Sequence, residues 1–92
     1  MGSFKATPGN RSELASILLG DVGALPRCRS YIVAEDLSDA DTLWITEVWD
    51  DAASHKASLA LPAVKAAIAR AMPLIESFGE HRELKVLGGL GT

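Results

Sequence analysis

Apolar and polar positions repeat with two different periods along this chain, and each change of period marks an element. Around Tyr31, Ile32 and Val33 the residues favour extended backbone, which predicts a strand from Arg29 to Glu35. Asp36 to Asp41 follows with three aspartates and a serine, side chains that bond their own backbone in turns, so a hairpin connection is predicted. Thr42 to Trp49 is again β-branched and aromatic and predicts a second strand. Its period of two puts Leu43, Ile45, Glu47 and Trp49 on one face and Thr42, Trp44, Thr46 and Val48 on the other.

Helical spacing governs the stretches on either side. Leu14, Ile17 and Leu18 recur every three to four residues, which predicts a helix from near Arg11. Asn10 stands in its capping position, with Glu13 three residues later. Gly20 and Gly23 weaken its later turns, and Leu25-Pro26 leads out of it. Before it, Ser3 to Thr7 reads as a short opening strand closed by a Pro8-Gly9 turn. After the second long strand, Asp50-Asp51 suits the positive end of a short helix running to about Ala60. Pro62 fits the first turn of a longer helix. Val64, Ile68, Met72 and Ile75 form an apolar stripe on it, and Pro73 interrupts it. Ser77 to His81 reads as a link. Arg82 to Leu87 alternates and is predicted as the final strand, ahead of a glycine-rich tail.

The order strand, helix, strand, strand, helix pair, strand predicts an α+β fold with a four-stranded antiparallel sheet and helices on one face. The strand from Thr42 to Trp49 carries apolar side chains on both faces, and one helical layer covers only one of them. The other face needs a partner, so a homodimer through sheet faces is expected. Size points the same way. A chain of 92 residues makes one small domain, expected to span 1–92, whose core is marginal alone. Cys28 is the lone cysteine, which excludes an internal disulfide and a cysteine metal cluster, and it reads as an inert, partly buried thiol.

Nine basic and twelve acidic side chains give a net charge of −3, and the basic ones are scattered. No basic stripe of the kind that binds nucleic acid can be built from them. No apolar run approaches a membrane span, and no signal peptide is seen, so a cytoplasmic location is expected.

Across Ser3 to Gly89 the chain resembles the antibiotic biosynthesis monooxygenase family, a dimeric α/β-barrel superfamily. The resemblance rests on Lys5-Ala6-Thr7-Pro8-Gly9, Cys28-Arg29-Ser30-Tyr31 and Trp44-Ile45-Thr46-Glu47-Val48-Trp49. The run from Asp50 to Leu59 and Leu84-Lys85-Val86-Leu87-Gly88-Gly89 extend it. It implies ferredoxin-like βαββαβ subunits whose sheets pair into a barrel, with a cavity between sheet and helices in each. Family members include oxygenases of polycyclic aromatic compounds or quinols that use neither metal nor flavin. The family's tryptophan and glutamate fall on Trp49 and Glu47. This sequence also departs from the pattern. Its first strand is shorter, and the asparagine that some members carry there has no equivalent. Ser58 stands where many members have a histidine, nine residues after the tryptophan. No histidine follows His55 until His81, which argues against the haem-degrading branch, and no cofactor is expected.

Four residues carry the candidate chemistry. Glu47, between Ile45 and Trp49 on an apolar face, is costly to bury unless it is paired or faces a cavity. It pairs with Arg29, Arg82 or a helix amide, or it takes up a substrate proton. An imidazole's free pKa lies near neutrality, so His55 serves as a base, or it is an exposed helix histidine or one bonded to Asp51. Trp49 stacks on a planar substrate or simply packs the core. Tyr31 lines the cavity or packs with its hydroxyl bonded. Taken with that resemblance, these residues lead to the expectation of a cofactor-independent monooxygenase that oxidises a small aromatic, phenolic or quinol substrate with molecular oxygen. The alternative is a non-enzymatic dimer that binds a small ligand or regulates.

Overall fold

The computed structural model describes residues 1–20 and 25–90. Its elements are β1 (Gly2–Ala6), α1 (Arg11–Leu19), β2 (Cys28–Glu35), β3 (Thr42–Trp49), α2 (Ala52–Ser58), α3 (Pro62–Ala71) and β4 (Ile75–His81). A 3₁₀ turn over Met72–Leu74 joins the last two. The strands form one antiparallel sheet in the order β2-β3-β1-β4, with the helices on one face, a ferredoxin-like α+β subunit. Gly23, expected to weaken α1, lies outside the described residues.

The alternation in β3 decides what faces the helices. Leu43 is fully buried and Ile45 nearly so. They join Ala6 of β1, Leu14 of α1 and Ala71 of α3 in the core, with Phe4, Tyr31, Val33 and Ile75 packed around it. Burying a side chain such as Leu14 or Leu43 contributes roughly 2 kcal/mol each. The opposite face of the sheet carries Thr46 and Val48 with Trp44, all half-buried, and Ile32, which is 54% exposed.

The aspartates of the β2–β3 connection act as the sequence suggests. Asp36 Oδ1 accepts from the Ser38 amide at 2.7 Å, and Asp39 Oδ1 accepts from that of Asp41 at 3.0 Å. Arg11, at the start of α1, donates to the carbonyls of Asp36 and Asp39 at 3.0 and 2.7 Å and pairs with Glu35. Helix and hairpin are thereby tied together at one end of the sheet. Asn10 precedes α1 as expected, but its side chain makes no capping bond; its amide donates to Thr7 Oγ1 at 2.8 Å instead.

The final strand is not where the alternation placed it. It covers Ile75–His81, including the segment read as a link, while 82–87 form no strand and leave Leu84 and Leu87 exposed. Pro73 supplies the reason. It cannot donate to a helix ladder, so the helix tightens into a 3₁₀ turn and the chain extends at once from Ile75. Ile75 then pairs with Ala6 and Phe78 with Phe4, whose rings meet edge to face at 5.4 Å.

Candidate active site between sheet and helices

The bend after β3 positions the site. Asp51 caps α2 by accepting from the Ser54 amide at 2.7 Å, and hydrogen bonding from the Ser54 side chain first and its amide second holds the Asp51 carboxyl below the usual range. Capping at Asp51 starts the helix at once, so His55, one turn along, folds back over the end of β3. Its ring lies 5.2 Å from that of Trp49, tilted by 49°. His55 Nε2 is 3.9 Å from Glu47 Oε1, an ion pair when the imidazole is protonated. Trp49 Nε1 donates to the same Glu47 oxygen at 3.2 Å.

Glu47 is therefore held by an indole and an imidazole. The arginines considered for it are engaged elsewhere: Arg29 bonds Asp50 at 2.7 Å, and Arg82 lies beside Glu80 at 3.9 Å. Nor does the His55 side chain turn to Asp51; only its backbone amide reaches the Asp51 carbonyl, at 3.4 Å. Tyr31 stands directly across from Glu47 in the β2–β3 register. Burial, helped by the Glu47 charge and then by Cys28, pushes the Tyr31 phenol up to about 12. It stays a neutral donor across the ordinary pH range. Among the described residues no hydrogen bond to its hydroxyl is formed, so the bonded hydroxyl expected for a packed ring is not seen. Burial also raises the Cys28 thiol, which suits an inert cysteine.

All four candidate residues line one cavity of about 220 Å³ between the sheet and the helices. Its polar end is formed by Tyr31, Glu47, Trp49, His55 and Ser58. Its remaining walls are apolar, with Phe4 and Ile45 from the sheet, Ile17 and Leu18 from α1, and Val64, Ala67 and Ile68 from α3. A larger depression of about 370 Å³ beside Pro26, Arg27 and Asp51 is shallow, open to solvent and contains none of the four. Among the described residues no three His, Cys, Asp or Glu side chains converge as a metal site would require.

The cavity explains why a carboxylate is tolerated on an apolar strand face. It also brings together a carboxylate, an imidazole, a neutral phenol donor and a flat ring around one mostly apolar space.

The family model for antibiotic biosynthesis monooxygenases matches residues 1–70. This chain belongs to that family. A proposed antibiotic biosynthesis monooxygenase of Chloroflexus aurantiacus J-10-fl is 51% identical to it. The match covers 96% of this chain and 90% of that one, with a TM-score of 0.93. Another from Deinococcus radiodurans is 27% identical over 95% of each chain, with a TM-score of 0.72. A third, from Caulobacter crescentus CB15, is 19% identical with a TM-score of 0.73 and shares the fold. No curated protein matches this chain.

Within this monooxygenase-family subunit, some lining residues escaped the sequence reading. Phe4 was legible only from its period-two relation to Ala6. Ser58 stands where many family members carry a histidine, a position that does not by itself mark a cavity residue. It is buried, lines the cavity, and its hydroxyl donates to the His55 carbonyl at 2.6 Å. Helical spacing from His55 was the signal for it. No single helix among the described residues is long and apolar enough to cross a membrane; α2 and the α3 segment pass on length and composition only as a pair bent by 72°.

Proposed function

We propose that the protein is a cofactor-independent monooxygenase that oxidises a small phenolic or quinol substrate with molecular oxygen. The observation that carries this reading is the convergence of Glu47, His55, Trp49 and Tyr31 on one otherwise apolar cavity. Trp49 stacks on the substrate ring. His55 takes the substrate hydroxyl proton, and Glu47, 3.9 Å away, stabilises the imidazolium. The resulting phenolate is electron-rich enough to pass one electron to triplet oxygen, which a neutral closed-shell ring does only slowly. Recombination of the two radicals forms a carbon–oxygen bond. Loss of water, with the proton returned by His55, leaves a quinone: one oxygen atom stays on the ring and the other departs in water. The apolar walls keep water from quenching the intermediates.

The sheet's uncovered face, with Ile32, Trp44 and Val48, supports a homodimer joined sheet to sheet, each subunit a single domain of 1–92. A reduced cytoplasmic setting suits the free Cys28. Oxygen uptake with a panel of quinols and hydroxyarenes tests the activity. Consumption that disappears without protein and scales with its concentration is expected; no uptake with any member of the panel removes the enzyme reading. The predominance of aliphatic lining favours one alternative, a dimer that binds a small hydrophobic ligand without turnover.

A further inference from the structure

The charges around the cavity are unequal in a way that bears on what enters it. Among the described lining residues there is no lysine or arginine. The nearest arginines face away, Arg29 on Asp50 and Arg27 near Asp51. Glu47 is the one carboxylate among the described lining residues, and any charge on His55 is matched by it at 3.9 Å. Directly across the strand register stands Tyr31, whose hydroxyl has no bonding partner among the described residues. Opposed residues on neighbouring antiparallel strands hold their Cβ atoms about 5 Å apart. Both side chains line the same cavity and the Glu47 charge reaches the Tyr31 phenol, so one small polar group on a ligand in that cavity is within range of both.

Resting on the substrate reading above, we propose that Tyr31 and Glu47 together read a single neutral ring hydroxyl, so that the cavity selects uncharged hydroxyarenes and rejects ring carboxylates of the same size. In the resting complex a hydroxyl donates to the Glu47 carboxylate and accepts from the Tyr31 phenol; at turnover that proton passes to His55, 3.9 Å from Glu47. A carboxylate has no proton to donate and meets Glu47 as a like charge, with no lysine or arginine among the described lining residues to offset it. An unsubstituted ring satisfies neither polar group and leaves both desolvated. Because burial keeps the Tyr31 phenol protonated, its donor is present throughout the neutral and mildly alkaline range. Tyr31 is thus a specificity-determining residue, and its role is independent of whether turnover follows.

Equilibrium dialysis under anaerobic conditions at neutral pH, with 2-naphthol, naphthalene and 2-naphthoate as probes, separates binding from oxidation. The full chain should bind 2-naphthol about 5- to 10-fold more tightly than naphthalene, the value of one or two net hydrogen bonds. It should bind 2-naphthoate at least roughly 30-fold more weakly than 2-naphthol. Tyr31→Phe should erase most of the preference for 2-naphthol over naphthalene and leave naphthalene affinity unchanged. Glu47→Gln, which keeps the shape and removes the charge, should recover most of the lost naphthoate binding. Naphthoate binding as tight as naphthol, no binding of naphthol, or Tyr31→Phe with an unaltered preference would each overturn the proposal. Selective naphthol binding without any oxygen uptake would remove the oxygenase reading and leave this one standing. Equal oxidation of naphthol and naphthoate would do the reverse.

Discussion

The indole of Trp49 donates to the carboxylate of Glu47, two residues earlier on the same strand face, at 3.2 Å. A strand's period of two makes this pairing available to any Glu-x-Trp sequence, and the cavity above the strand gives it a purpose. The ring that can stack on a substrate also aims the carboxylate. Trp49→Phe keeps most of the flat surface and removes the donor. It should destabilise the fold by about 1 kcal/mol, read from the urea midpoint. It should also raise KM for a hydroxyarene less than it lowers kcat, because the carboxylate loses its orientation while the stacking ring remains.

His55→Gln removes the titratable group and keeps the side chain polar. Losing a general base typically costs about 100-fold or more in rate. The substitution should lower oxygen uptake by that order while leaving the circular dichroism spectrum intact. Glu47→Gln should cost less if Glu47 acts through the imidazole, since neutral His55 survives. Uptake unchanged in the His55, Glu47 double variant would mean that the base lies elsewhere.

Tyr31 is the only tyrosine of the chain, so an ultraviolet titration reads it alone. The folded protein should ionise near 12, well above an ordinary phenol, and the urea-unfolded chain near the ordinary value of about 10. The sign of the linkage follows. The folded state holds the proton more tightly, so stability is undiminished below the unfolded value and falls as pH rises from about 10 toward 12. Burial is the larger cause and the Glu47 charge the next, so Glu47→Gln should bring the folded midpoint down part of the way.

These residues also show how far sequence alone reaches. β3 was legible in full, faces included, because alternation of β-branched and aromatic side chains is a local signal. Glu47 stood out as a carboxylate among apolar neighbours for the same reason. What sits above it was not local. The closure of His55 onto Trp49 depends on the bend at Asp51, and the opposition of Tyr31 to Glu47 depends on hairpin register. β4 was misplaced because Met72 and Ile75 continue the α3 stripe at helical spacing, so a strand began inside what looked like a helix. The exposed alternation of 82–87 then competed for the strand assignment, although its backbone pairing is seen at Arg82, whose amide donates to the Met1 carbonyl at 2.8 Å.

The β1–β4 pair sets a further test. A methyl group at Gly79 would lie 2.2 Å from the Ser3 hydroxyl, which itself accepts from the Glu80 amide at 2.9 Å. Gly79→Ala should therefore destabilise by roughly 1–3 kcal/mol, as overpacking does. Ser3→Ala removes the clashing oxygen. The double variant should recover part of the loss, and thermal unfolding of the two single variants and the double one measures the coupling. Simple additivity of the two single effects would rule out the proposed contact as the cause.

On the uncovered sheet face, Trp44 does something different from Trp49. Its Nε1 donates to Asp36 Oδ2 at 2.8 Å, the chief reason the Asp36 carboxyl titrates below the usual range. The bond fixes the ring beside Ala34 across the β2–β3 register, next to the exposed Ile32. A ring so held, with apolar neighbours, presents a preformed surface to a second sheet and loses little freedom on docking. Trp44→Ala should shift the protein from dimer to monomer by light scattering at micromolar concentration, while secondary structure persists. Trp44→Phe, which keeps the ring area but frees it from Asp36, should weaken the dimer less. A dimer mass unaltered in Trp44→Ala would take this ring out of the interface, and a monomeric parent protein would remove the sheet-to-sheet dimer altogether.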